Sequence, residues 1–197
     1  MKATKLLSGV VAAAMVLGTG ALCAFAEGTT IPAGDAASLI QAFSSAQNGD
    51  TIQLTNDIAT QEQIVVAADK TVTLDLAGHS IDSTYYSFVI NNQGTLTIND
   101  TVGGGCVFNS SHQAVSIDGV IYGHDTVRNF GTLTINGGTF GDSDTDRTNK
   151  NNVQYGAAVR NQEGATCYIN GGFFTCADNY GRWEGELTES FYSYAIR

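Results

Sequence analysis

The chain has 197 residues, 43% of them hydrophobic, which is enough for one domain with its own apolar core. Nineteen acidic residues against nine basic ones give a net charge of −10, and this excludes a nucleic-acid partner, because phosphate binding needs a basic stripe. Such acidity suits a soluble extracellular protein and favours cations or neutral glycans as ligands.

Residues 1–26 read as a secretory signal peptide. Lys2 and Lys5 precede an apolar stretch from Leu6 to about Leu22, and Ala24-Phe25-Ala26 supplies a small-x-small cleavage site before Glu27. Gly9, Gly18 and Gly20 interrupt the run, which argues against a membrane anchor, and the bulky Leu22 before Cys23 argues against lipoprotein processing. The expected product is secreted or held at the cell surface, with no membrane span after cleavage. It keeps seven basic and nineteen acidic residues, a net charge of −12. Cys106, Cys167 and Cys176 allow one disulfide and one thiol, or no disulfide at all, and the absence of any Cys-x-x-Cys leaves a structural zinc site without support.

Residues 27–50 form an N-terminal segment with a capping helix. Asp35 can cap a helix from about Ala36 to Gln47, with Leu39, Ile40 and Phe43 on one face and Asn48-Gly49 as the stop. Strands follow at Thr51–Leu54, Ile64–Val66 and Val72–Leu76.

From residue 51 to residue 197 the chain repeats. Gly94-Thr95-Leu96-Thr97-Ile98-Asn99 matches Gly131-Thr132-Leu133-Thr134-Ile135-Asn136, and both match Ala165-Thr166-Cys167-Tyr168-Ile169-Asn170. Gly137-Gly138-Thr139-Phe140 matches Gly171-Gly172-Phe173-Phe174, with Phe108 as the corresponding phenylalanine of the first copy. Val127-Arg128-Asn129 matches Val159-Arg160-Asn161, and Val89-Ile90-Asn91 takes the same place upstream. Ile196-Arg197 opens another copy, so the repeats are expected to run on in a longer protein. Alternation places Leu96 and Ile98, Leu133 and Ile135, and Cys167 and Ile169 inward, with threonine outward. No helical pattern separates the strands. Repeats of this length without helices predict an all-β solenoid whose successive turns stack like over like. Asn and Gly tolerate the sharp corners, and Asn136 and Asn170 are expected to stack as a structural ladder.

The helix at 35–47 with Asn48-Gly49-Asp50-Thr51-Ile52-Gln53-Leu54, and then Val72-Thr73-Leu74-Asp75-Leu76-Ala77-Gly78-His79-Ser80-Ile81, resembles the opening of pectin-lyase-like right-handed parallel β-helix proteins. The Leu-Thr-Ile-Asn-Gly-Gly-Thr-Phe repeats resemble those of secreted, adhesin-like bacterial members of that superfamily. The resemblance covers nearly the whole mature chain and implies a right-handed β-helix. It is poor for function, since the scaffold carries lyases, hydrolases, adhesins and inert stalks alike.

Three insertions, from Phe108 to Arg128, Phe140 to Arg160 and Phe174 to Arg197, fall at the same place in successive copies and are expected to crowd one side. They carry Tyr122, Tyr155, Tyr180, Trp183 and Tyr192, which either stack on sugars or pack the loops onto the coil; packing is favoured. Arg128, Arg160 and Arg197 are expected to point outward in one row, about 4.8 Å apart. They either line a cleft for an acidic polysaccharide or are neutralised by loop acids, which the composition favours. Arg128, Arg160, Arg197, Tyr155 and Trp183 are therefore the ligand-binding candidates. Asp142, Asp144 and Asp146 have the alternate spacing of a calcium loop, but Arg147 and Val153 stand where the turn glycine and the bidentate glutamate belong. Calcium is thus the one cofactor candidate, and a weak one.

Catalysis has less support. Asp75, Asp82, Asp100 and Asp118 do not fall in one repeat register, as acid and base on adjacent coils should. Arg128 or Arg160 is the available base for a lyase, without a matching row of acids. His112 and His124 sit in one insertion near Asp118 and Asp125, the usual setting of inert loop histidines. The expected function is a non-catalytic module for adhesion or glycan contact, with an extracellular glycan or host surface component as partner, acting as a monomer or as part of a longer chain. The alternative is a polysaccharide lyase or glycoside hydrolase acting on an acidic plant or host glycan.

Overall fold

The computed structural model of the chain describes residues 28–85, 87–111, 115–117, 120–122, 125–141, 157–175 and 194–196. Outside the described residues lie residues 1–26, Cys176, Asp118, His112 and His124, as do the calcium candidates Asp142, Asp144 and Asp146 and three ligand candidates, Tyr155, Trp183 and Arg197.

The described chain starts with strand β1 (Thr30–Ala33) and helix α1 (Ala36–Ser45). The Asp35 side chain accepts from the Ser38 N–H at 2.7 Å while the Ser38 hydroxyl accepts from the Asp35 N–H, a reciprocal cap that fixes where α1 begins. Its apolar face, Leu39, Ala42 and Phe43, is buried. It packs against β1 and the strands of the first turn, β2 (Thr51–Leu54), β3 (Ile58–Thr60) and β4 (Ile64–Val66).

The next turns repeat that set of three. They are β5 (Thr71–Asp75), β6 (Ser80–Ser83) and β7 (Ile90–Asn92), then β8 (Thr95–Asn99) and β9 (Cys106–Asn109). An antiparallel hairpin, β10 (Val115–Ile117) with β11 (Val120–Tyr122), intervenes before β12 (Val127–Asn129). Then come β13 (Thr132–Ile135), β14 (Thr139–Gly141), β15 (Ala157–Asn161), β16 (Thr166–Ile169), β17 (Phe173–Phe174) and β18 (Tyr194–Ile196). Each turn places one strand in each of three parallel sheets. The first sheet runs β1-β2-β5-β8-β13-β16, the second β3-β6-β9-β14-β17 and the third β4-β7-β12-β15-β18.

Pairing is in register from turn to turn, so like side chains form rows. Val72, Leu96, Leu133 and Cys167 make one inward row of the first sheet. Ile58, Ile81, Val107, Phe140 and Phe174 make that of the second, and Ile64, Ile90, Val127, Val159 and Ile196 that of the third. Leu96, Leu133, Ile90, Val127 and Phe140 are fully buried, and each such side chain contributes about 2 kcal/mol by leaving water. The Phe140 and Phe174 rings stack at 5.4 Å.

Two expected alignments slip by one residue. Ile90, not Val89, lies beside Val127, and Val107, not Phe108, lies beside Phe140. Both members of each apolar pair suit burial by composition, so alternation alone could not choose, and a slip of one reverses the face of every side chain.

Corners are held by two amide ladders. On the outside, Asn170 Nδ2 donates to Asn136 Oδ1 and Asn136 Nδ2 to Asn99 Oδ1, both at 2.8 Å. Inside, at the corner after the third sheet, Asn92 Nδ2 donates to Asn129 Oδ1 at 2.7 Å and Asn129 Nδ2 to Asn161 Oδ1 at 2.6 Å. The inner amides also donate to the carbonyls of Thr132 and Thr166 on the following strands. The inner ladder starts at Asn92 because Val66 is its neighbour in the turn before, and Asn92 Oδ1 has no donor among the described residues. Beside it, a Cβ on Gly131 would overlap the backbone carbonyl of Gly94, so glycine is needed where successive turns come close.

Candidate functional site

All three long insertions leave a strand of the second sheet and rejoin the third, between β9 and β12, β14 and β15, and β17 and β18. The best-defined polar cluster among the described residues stands where the first insertion ends. Asp125 is fully buried there, two residues before β12. Its backbone is pinned from two directions: the Asp125 carbonyl accepts from Asn109 Nδ2 at 3.1 Å and from the Val89 N–H at 3.3 Å. The neighbouring Thr126 hydroxyl donates to the Gly141 carbonyl at 3.0 Å.

Arg128 and Arg160 are register partners on β12 and β15, and both point to the outer face, beside inward Val127 and Val159. Two guanidinium charges one strand spacing apart, about 4.8 Å, repel by roughly 3–4 kcal/mol at an effective dielectric of about 20. Asp125 resolves the conflict. Its Oδ2 accepts from Arg128 Nε at 2.9 Å, Arg128 Nη2 at 2.7 Å and Arg160 Nε at 2.7 Å. The other oxygen, Oδ1, accepts from the Ala157 N–H at 2.9 Å, at the start of β15. One carboxylate therefore ties the third turn to the fourth. Arg128 also lies over the Phe88 ring, 4.3 Å from its centroid, a contact worth about 0.5–2 kcal/mol that fixes the guanidinium plane. The side chains of Arg128 and Arg160 retain 13% and 21% exposure.

Strand and corner acids elsewhere are committed to backbone amides, hydroxyls or side-chain amides. Asp75 accepts from Gln53 Nε2, from the Thr101 hydroxyl and N–H, and from the Ala77 N–H. Burial on its own raises the pKa of Asp75, yet these hydrogen bonds outweigh it and hold the carboxyl below its ordinary value. Asp100 accepts from the amides of Gly78, Gly103 and Gly105. Asp82 is bonded by the Ser110 hydroxyl, on the outer face of the second sheet. Asp75 and Asp100 thus share the corner between the first and second sheets in successive turns, while Asp82 stands apart on the second sheet, and each carboxylate has its own hydrogen-bond donors.

Cys106 and Cys167 are free thiols, on the second and first sheets respectively. Burial raises both pKa values, and the nearby Asp100 and Asp57 raise that of Cys106 further. Both therefore stay protonated at neutral pH and are poor nucleophiles. No group of three or more His, Cys, Asp or Glu that could hold a metal ion occurs among the described residues. Among them, too, no helix is long and apolar enough to cross a membrane.

Of the five ligand candidates, the structure brings Arg128 and Arg160 together. The sequence places Asp125 only beside His124 in the first insertion and gives no sign of Phe88. The available signal was a carboxylate three residues before an outward arginine.

A scan against protein-family models, a search of curated proteins and a search of solved structures each returned no match.

Proposed function

We propose that the chain is a secreted or cell-surface module of the pectin-lyase-like kind, a right-handed parallel β-helix that is non-catalytic and works in adhesion or glycan contact. Three parallel sheets visited in the same order by every turn support the solenoid. Its hand follows from the strong preference for right-handed crossovers between parallel strands. The signal-like leader and the acidic mature chain support export.

The observation that carries the non-catalytic reading is the Asp125 clamp. An arginine acting as a lyase base must give up its proton beside the substrate. Here Nε and Nη2 of Arg128 and Nε of Arg160 are instead committed to the fully buried Asp125 carboxylate, in a structural contact between adjacent turns. The rigid stack then serves as a support, and the insertions between the second and third sheets supply the variable face.

Incubation with polygalacturonate and calcium, followed by the absorbance of unsaturated product, tests this together with a glycan array. The expected result is no turnover and retention of one or more glycans. Turnover that disappears in Arg128→Ala would overturn the proposal.

A further inference from the structure

The clamp is not electrically balanced. Among the described residues, Arg128 and Arg160 bring two positive charges to the single negative charge of Asp125, an excess of one. Asp125 uses Nε of both arginines and Nη2 of Arg128. Nη1 of Arg128 and both terminal nitrogens of Arg160 make no hydrogen bond or ion pair among the described residues. The outward row continues below Arg128 as Asn91 and Val65, both uncharged, so no acid of that row competes for the excess charge.

We propose that this cluster is an anion subsite, where the unused guanidinium N–H groups receive a carboxylate or sulfate ester of an acidic glycan. The inference rests on the glycan-contact reading and gives it a ligand class and a place. Asp125 and Phe88 act as positioning residues: the first sets the two forks side by side, and the second holds the plane of Arg128 by stacking. Planar forks with fixed orientation suit two-oxygen anions better than ammonium groups do. The chain's overall negative charge opposes such a ligand at long range, but physiological salt confines that repulsion to about 8 Å. Within that distance the directed N–H groups of the two guanidinium forks make the contact. This departs from the composition, which favoured cations or neutral glycans.

The test is titration of the full mature chain with polygalacturonate, dextran sulfate and unmodified dextran. At least one anionic polymer should bind and dextran should not. The polymer that binds more tightly tells whether carboxylate or sulfate is preferred. Arg160→Gln should lower the affinity about tenfold or more, and Arg160→Lys, which keeps the charge without the fork, should lower it by less. The melting temperature of each variant separates lost binding from lost fold. Retention of dextran alone, binding of no polymer, or affinity unchanged in both Arg160 variants overturns the anion subsite. The glycan array decides the broader contact reading separately.

Discussion

Replacing Asp125 by alanine removes the one carboxylate shared by two outward arginines of adjacent turns. The variant leaves Arg128 and Arg160, 13% and 21% exposed, facing each other with no counter-charge among the described residues, and leaves the buried Ala157 N–H without its acceptor. Removing one partner of a buried ion pair costs about 3–5 kcal/mol, an amount that already includes most of the orphaned-amide penalty. For a domain of this size 1 kcal/mol moves the melting temperature by roughly 2–4 °C, so a fall of about 10 °C is expected. Asp125→Asn keeps an acceptor for Ala157 and loses only the charge, so it should fall about half as far. Calorimetry on the chain from residue 27 onward reads both. The repulsion left in Asp125→Ala is electrostatic, and 1 M salt shortens the screening length to about 3 Å. The variant should therefore regain more stability from salt than the parent does. A shift of less than about 2 °C in Asp125→Ala, or equal salt responses in parent and variant, would show that the clamp does not join the two turns.

The inner ladder makes a second prediction. Asn129→Ala strands one N–H of the buried Asn92 amide and, at half-buried positions, the Asn161 Oδ1 and the Gly131 N–H, and each orphan costs about 1–3 kcal/mol. Urea unfolding should show a loss of at least about 3 kcal/mol, well above that of Asn136→Ala on the exposed ladder. The third concerns acid. Hydrogen bonds outweigh burial and lower the Asp75 carboxyl in the folded state. Its contribution is therefore fully present above the unfolded carboxyl value of about 4 and is lost as pH falls through the lower folded value. Unfolding midpoints measured from pH 6 to pH 2.5 should drop below about pH 4, and Asp75→Asn, less stable at neutral pH, should show a shallower drop.

The solenoid-like plan was legible because it is written three times. The Thr-Leu-Thr-Ile-Asn segments fixed the rows of the first sheet, and the asparagines at 136 and 170 announced their ladder. Where the pattern offered two adjacent apolar residues, as at Val89-Ile90 and Val107-Phe108, it could not assign the face, and the expected register slipped by one. The buried ladder of Asn92, Asn129 and Asn161 escaped notice for the same reason, since the slip placed Asn91 where Asn92 belongs. The Asp125 clamp was hidden differently. Its bond to Arg128 spans three residues but its bond to Arg160 spans 35, and the second exists only because successive turns stack. Strand β1 and the hairpin of β10 and β11 carry no repeat signal and were not foreseen.

Stacking itself is open to a direct chemical test. Thr139 on β14 is the register partner of Cys106 on β9, and neighbouring strands lie about 4.8 Å apart, inside the separation of about 4.4–6.8 Å that a disulfide spans. Thr139→Cys should therefore form a disulfide with Cys106 under mild oxidation, seen as a linked peptide pair by mass spectrometry. A new cysteine that stays reduced, or that joins Cys167 in place of Cys106, would contradict the alignment of successive turns on which the Asp125 clamp and both ladders depend.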